Sequence, residues 1–168
     1  MNAERDRGKP RLGWLRLPLL FLAASTLGGS LWALPFPRSF YDGFPAPGWG
    51  WVSTLGPYNE HLVRDYGAMN LALGVLLVSA AFSPERRLEQ VALLTYLAFA
   101  APHFLFHATQ IHHFSLFHNA LQLSTLGFLV LLPAVLLAFT RKNPESVHSE
   151  AARKPAGRER KRGRGHRP

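Results

Sequence analysis

The sequence predicts an all-α protein, a four-transmembrane-helix bundle with both termini cytoplasmic. Three observations predict it. Charge is segregated: no Asp, Glu, Lys or Arg occurs in residues 17–37, 66–84 or 90–140, whereas a soluble helix carries polar residues along its wet face. Those stretches are rich in Leu, Ala, Val and Phe, and a helix needs ~20 mostly apolar residues to cross the hydrocarbon of a bilayer. Lastly, the basic residues fall at alternate ends of the apolar segments, the bias that sets membrane orientation.

Composition narrows the classes further. The chain has 168 residues and a formal charge of +9, a length that suits one bundle with tails. Its mean hydropathy of +0.02 averages over apolar spans and strongly charged ends. There are no cysteines, which excludes disulfides, thiolate nucleophiles, Cys-ligated zinc and iron–sulfur clusters. The apolar runs exclude a collagen-like or wholly disordered chain.

Residues 1–14 form a basic cytoplasmic N-terminal segment, and 15–139 the transmembrane domain. The first span is 15–34. Trp14 and Trp32 lie eighteen residues apart near its ends, roughly 27 Å along a helix, which matches two interfacial aromatic belts. A cleaved signal peptide is the competing reading. Its apolar region would run about 7–15 residues, shorter than this one, and Pro35 makes a poor cleavage neighbourhood. The second span is 57–82, with Pro57 suited to the first helical turn. The charge-free stretch of 51 residues is too long for one span, and the polar break at 110–115 divides it into spans at 88–108 and 115–139.

Arg5, Arg7, Lys9, Arg11 and Arg16 precede or open the first span, Arg86 and Arg87 follow the second, and ten more basic residues follow the fourth. Four spans put these seventeen of nineteen on one side, with Arg38 and Arg64 opposite. The protein is therefore expected in the cell membrane, multi-pass, with the loops 35–56 and 109–114 outside. The loop 35–56 holds Phe36, Phe40, Tyr41, Phe44, Trp49 and Trp51 among prolines and glycines. It shows no helix or strand period, and suits either an aromatic lid or an interfacial anchor. The segment 140–168 reads as a basic, disordered cytoplasmic tail, too poor in apolar residues to fold. Its expected partner is anionic lipid headgroups. It lacks the interleaved aromatics of single-strand binders, so no nucleic-acid partner is expected.

The polar residues of the spans gather towards the outer leaflet. Glu60, His61, Arg64 and Asp65 open the second span, His103 and His107 end the third, and His118, Asn119 and Gln122 open the fourth. Such residues are costly in a membrane and face the bundle interior or water. His61 and Asp65 share one helix face at i, i+4, as do Glu60 and Arg64. Tyr96, Ala100, His103, His107 and Gln110 form one stripe on the third helix, and His118, Gln122 and Thr125 one on the fourth. His61, His103, His107 and His118 are candidate metal ligands converging on one outer cavity, since imidazole suits Zn, Cu or Fe. A facing pair of histidines also suits haem. Glu60, Arg64, Asp65, Tyr96, Asn119 and Gln122 are candidate ligand-binding residues around them. The bland alternative is a hydrogen-bonded polar cap without metal, and proton transfer by histidine is another. Gly28, Gly29 and Ser30 in the first span, with Gly67 and Gly74 in the second, allow close helix approach.

Four short spans, with RDYGAMNLALGVLLVSAAFSPERR across the second span and its inner loop, resemble the DoxX-like superfamily of small bacterial four-helix membrane proteins over about residues 15–139. The resemblance implies a four-helix fold. Most members are unassigned, and some are linked to quinone or sulfur redox chemistry. This chain departs from the pattern in lacking cysteine and in carrying PHFLFHATQIHHFSLFHNALQ. His103, His107, His112 and His113 also resemble the histidine boxes of membrane desaturases and hydroxylases, but a third box is missing. Two functions are therefore expected as alternatives. One is an accessory or ligand-binding bundle with a histidine-rich outer-leaflet cavity. The other is a metal- or haem-dependent membrane oxidoreductase component, acting as a homo-oligomer or with a membrane redox partner.

Overall fold

A computed structural model of the chain describes residues 13–141. The expectations for residues 1–12 and for the tail from residue 142 onward lie outside the described residues. All regular structure within them is helical: α1 (Gly13–Ala33), α2 (Pro37–Gly43), α3 (Glu60–Phe82), α4 (Arg86–Thr109) and α5 (Leu116–Arg141), with a 3-10 turn at Ile111–His113. Helices α1, α3, α4 and α5 are long and apolar enough to cross a membrane.

Local chemistry sets the ends of these helices. Helix α3 starts at Glu60 and not at Pro57, because Asn59 caps it. Its side-chain oxygen accepts from the backbone N–H of Leu62 at 3.2 Å, satisfying one of the four donors that open a helix. Pro84 lies just past the last turn, and the Ser83 hydroxyl accepts from the N–H of Glu85 at 3.0 Å in the short turn to α4. Helix α2 corrects the expectation of a loop without period. Pro37 occupies its first turn, and Phe40 and Tyr41 are buried against the bundle. Seven residues are fewer than the 11–18, roughly, over which a helical period shows itself.

Helix α1 packs chiefly on α3, and α4 on α5. The α1–α3 contact runs through glycines. A Cβ added at Gly74 would lie 2.4 Å from Leu27 Cδ2, and one at Gly67 would lie 2.9 Å from Leu34 Cγ. Small residues give such contacts because, without a bulky side chain, two helix backbones can approach closely. Gly28, expected in the same role, has nothing near its missing Cβ.

The two pairs meet at one end only. There Leu15, Leu19 and Leu22 of α1, Leu77 of α3, Leu93 and Tyr96 of α4 and Leu136 of α5 form one core. At the opposite end, which carries α2, the buried cluster is Ala33, Phe40, Tyr41 and Val63, from α1, α2 and α3 alone. The bundle is thus closed at the α3–α4 turn and splayed at the α2 end, and the splay leaves a space between the pairs.

Candidate functional site

The space is a cavity of about 1010 Å³, walled by all four long helices and roofed by the segment after α2. Phe40, Phe44, Trp49, Trp51, Phe99 and Phe106 give it an aromatic lining. The roof is fastened at both sides. On the near side Phe40 stacks on Tyr66 with ring centres 5.4 Å apart, and the Tyr41 hydroxyl donates to the carbonyl of Gly56. On the far side Trp49 stacks on His118 at 5.3 Å, and Trp51 meets the same ring edge-on at 6.2 Å. Gly48 and Gly50, on either side of Trp49, adopt positive φ of 85° and 56°, a backbone region that penalises a side chain.

Polar groups sit deeper. Gln122 is 2% exposed and approaches the His107 ring. Neither its Nε2 nor its Oε1 reaches hydrogen-bond geometry with His107 or any other protein group, and His107 Nδ1 and Trp51 Nε1 have no protein partner in that geometry either. Buried polar groups are ordinarily satisfied, so three side chains with spare donors and acceptors around one space is uncommon. Nearby, Asn70 donates to its own helix at the carbonyl of Tyr66, 2.9 Å away, and the Tyr96 hydroxyl lies 3.4 Å from Ser25 Oγ. His103 is sandwiched in the wall of α4, stacked on Phe99 at 5.3 Å and edge-on to His107 at 4.7 Å.

The structure therefore brings together Tyr96, His103, His107, Gln122 and, towards the opening, Asp65. The other candidates stand elsewhere. His61 is 86% exposed and pairs with Asp65 at 3.2 Å. It lies two residues before the buried Val63, roughly 200° round the helix, so the stripe that packs α3 turns it away. His118 serves the roof. Among the described residues no group of three His, Cys, Asp or Glu side chains is placed to hold a metal ion, so the four histidines expected to converge do not form a common metal site. Glu60 and Arg64 are a 2.8 Å ion pair, and Arg64 also donates to the carbonyl of Leu34 beyond the end of α1. Asn119 donates to the carbonyls of Ile111 at 2.8 Å and Phe114 at 3.2 Å, fastening the α4–α5 connection.

Those assignments separate two surface residues by experiment. Arg64→Met removes a charged donor from an open carbonyl end of α1, and is expected to cost about 1 kcal/mol, the low end for a partly exposed charged hydrogen bond. His61→Ala removes only an exposed pair and is expected to cost under ~0.5 kcal/mol. Thermal unfolding in detergent checks the order of the two; equal losses would place His61 in the packed structure.

Asn70, Ser25, Thr26 and Phe99 line the cavity without having been singled out in the sequence. Asn70 had a signal, being a lone amide inside the charge-free stretch 66–84. Comparison of the chain with protein-family models, with curated proteins and with solved structures gives no match.

Proposed function

We propose that this chain is a multi-pass protein of the cell membrane that binds a neutral, amphipathic small molecule between its splayed helix pairs. The observation that carries the reading is the buried Gln122 amide, unpartnered at both polar atoms, beside an aromatic cavity of ligand size. Ligand sites are largely apolar with a few convergent polar groups, and run to about 1,000 Å³. Neutrality follows from the lining, which holds no Lys or Arg; its one charged residue, Asp65, is near the opening and already paired with His61. The ligand head should be flat to stack on the aromatic walls, and should carry both an acceptor and a donor. Trp51 Nε1 and the Gln122 amide nitrogen can donate to it, and Gln122 Oε1 can accept from it. The DoxX-like relation belongs to the same proposal and rests on the 64–87 segment and the four-span topology.

Orientation follows from the basic residues: both termini in the cytoplasm, with the α2 end and the cavity in the outer half of the membrane and the tail against anionic lipid. Thiol labelling of single cysteines introduced at the exposed Pro47 and at Arg160 tests it. Reagent outside intact cells is expected to reach position 47 and not 160; labelling of position 160 would invert the arrangement.

N-methyl-4-bromobenzamide has the flat ring, the carbonyl, the N–H and a bromine that quenches tryptophan at short range. It is expected to quench Trp49 and Trp51 saturably in the purified protein, and to be displaced by unbrominated N-methylbenzamide. Linear, unsaturable quenching identical in the Gln122→Leu variant would overturn the reading.

A further inference from the structure

A second hollow lies on the outside of the bundle, in the seam between α3 and α4. It is a groove of about 490 Å³ with Leu73, Ala98 and Pro102 in its wall, and it shares Met69, Phe99 and His103 with the main cavity. Those three side chains are therefore what stands between the groove and the cavity. No charged side chain lines it. Pro102, inside α4, has no backbone N–H to offer the carbonyl of Ala98 one turn earlier.

Depth distinguishes the two spaces. Gln122 lies six residues into α5, roughly 9 Å along the helix from the α2 end. Ala98 lies eleven residues before the end of α4, roughly 17 Å from the same end, near the middle of a ~30 Å hydrocarbon layer. A molecule with its head at Gln122 and a tail leaving by the groove would thus run head outward and tail towards the midplane, as an outer-leaflet lipid does.

We infer that the ligand of the cavity is a single-tailed lipid-soluble molecule, whose hydrocarbon tail occupies the α3–α4 groove and which enters sideways from the bilayer between Met69 and Phe99. This rests on the cavity reading and adds the tail and the route. The tail gains little by exchanging lipid for an apolar groove, so the head supplies the selectivity and the groove supplies passage.

The test uses the full chain in lipid nanodiscs with two probes of one head, N-methyl- and N-hexadecyl-4-bromobenzamide, compared at equal mole fraction in the bilayer. Both are expected to quench Trp49 and Trp51 saturably with affinities within about threefold. Ala98 is exposed, so Ala98→Phe fills the groove without entering the core and without adding a tryptophan to the signal. It should weaken the hexadecyl probe at least tenfold and the methyl probe less than twofold, and the smaller Ala98→Val should weaken the hexadecyl probe by less. Binding of the methyl probe with rejection of the hexadecyl probe by the wild-type protein would overturn the tail and its route while leaving the cavity reading intact. Equal tolerance of Ala98→Phe by both probes would do the same, the tail then being folded inside the cavity or replaced by an ambient lipid chain in the groove. Failure of both probes to bind would overturn both readings.

Discussion

Gln122→Leu is expected to weaken binding of the benzamide head at least tenfold while making the protein itself more stable. The two effects have one cause. The amide is buried with no protein group bonded to either polar atom, and burying a polar group without a protein partner costs on the order of 1–3 kcal/mol. Leucine has a similar volume and nothing to satisfy, so the variant should gain about 1 kcal/mol and unfold at a higher temperature. The same change removes a donor and an acceptor from the head of the ligand, and should weaken N-methyl-4-bromobenzamide at least tenfold, the equivalent of about 1.4 kcal/mol. Such opposition between stability and binding marks a residue kept for function. Thermal unfolding with and without probe measures both effects. A Gln122→Leu protein that unfolds earlier than wild type, with unchanged probe affinity, would make Gln122 a structural group.

Gly74→Leu should act on stability alone, and by more. The first side-chain carbon would meet Leu27 Cδ2 at 2.4 Å, Leu27 Cγ at 2.5 Å and Thr26 Oγ1 at 3.1 Å, before the rest of the leucine is placed. Leu27 can turn aside for a methyl group. It cannot do so for a whole side chain, because it packs against the closed-end core. Forcing the α1–α3 contact apart is expected to cost about 3 kcal/mol, the upper part of the range for overpacking, whereas Gly74→Ala should cost about 1 kcal/mol. Unfolding in mixed micelles at increasing denaturant gives both values. If Gly74→Leu is as stable as wild type, the two helices do not approach through this glycine.

The four long helices were legible because length and apolar content suffice to show them. Leu15, Leu19 and Leu22 repeat at helical spacing whatever they pack against. What the sequence left open was rotation. His61 and Asp65 share a stripe by spacing alone, but which way it faces depends on Gly67 and Gly74 meeting α1, and that contact points His61 outward. His103, His107 and Gln122 lie on the stripes expected of them and do line one cavity. His118 lies on the same stripe as Gln122 but is taken up by Trp49, whose position depends on a loop with no period to read. The start of α3 was misplaced by three residues because a proline signal at Pro57 competes with a capping signal at Asn59, and the cap satisfies a backbone donor. The roof itself was legible only as composition: its aromatic residues were evident, and the ring they contact was not.

The splay between the helix pairs also has a consequence for the membrane around them. In the proposed orientation the cavity occupies the outer half of the bilayer, about 15 Å of hydrocarbon. Spread over that depth, a volume of about 1010 Å³ amounts to a cross-section of roughly 70 Å², an area on the scale of one lipid molecule. In that orientation the protein would be a wedge, broader in one leaflet than in the other, and each copy would impose a difference in area between the two leaflets. Curvature that relieves this difference favours the open shape, and compression of the outer leaflet favours drawing the pairs together. The energy of the open cavity is in this way tied to the mechanics of the bilayer.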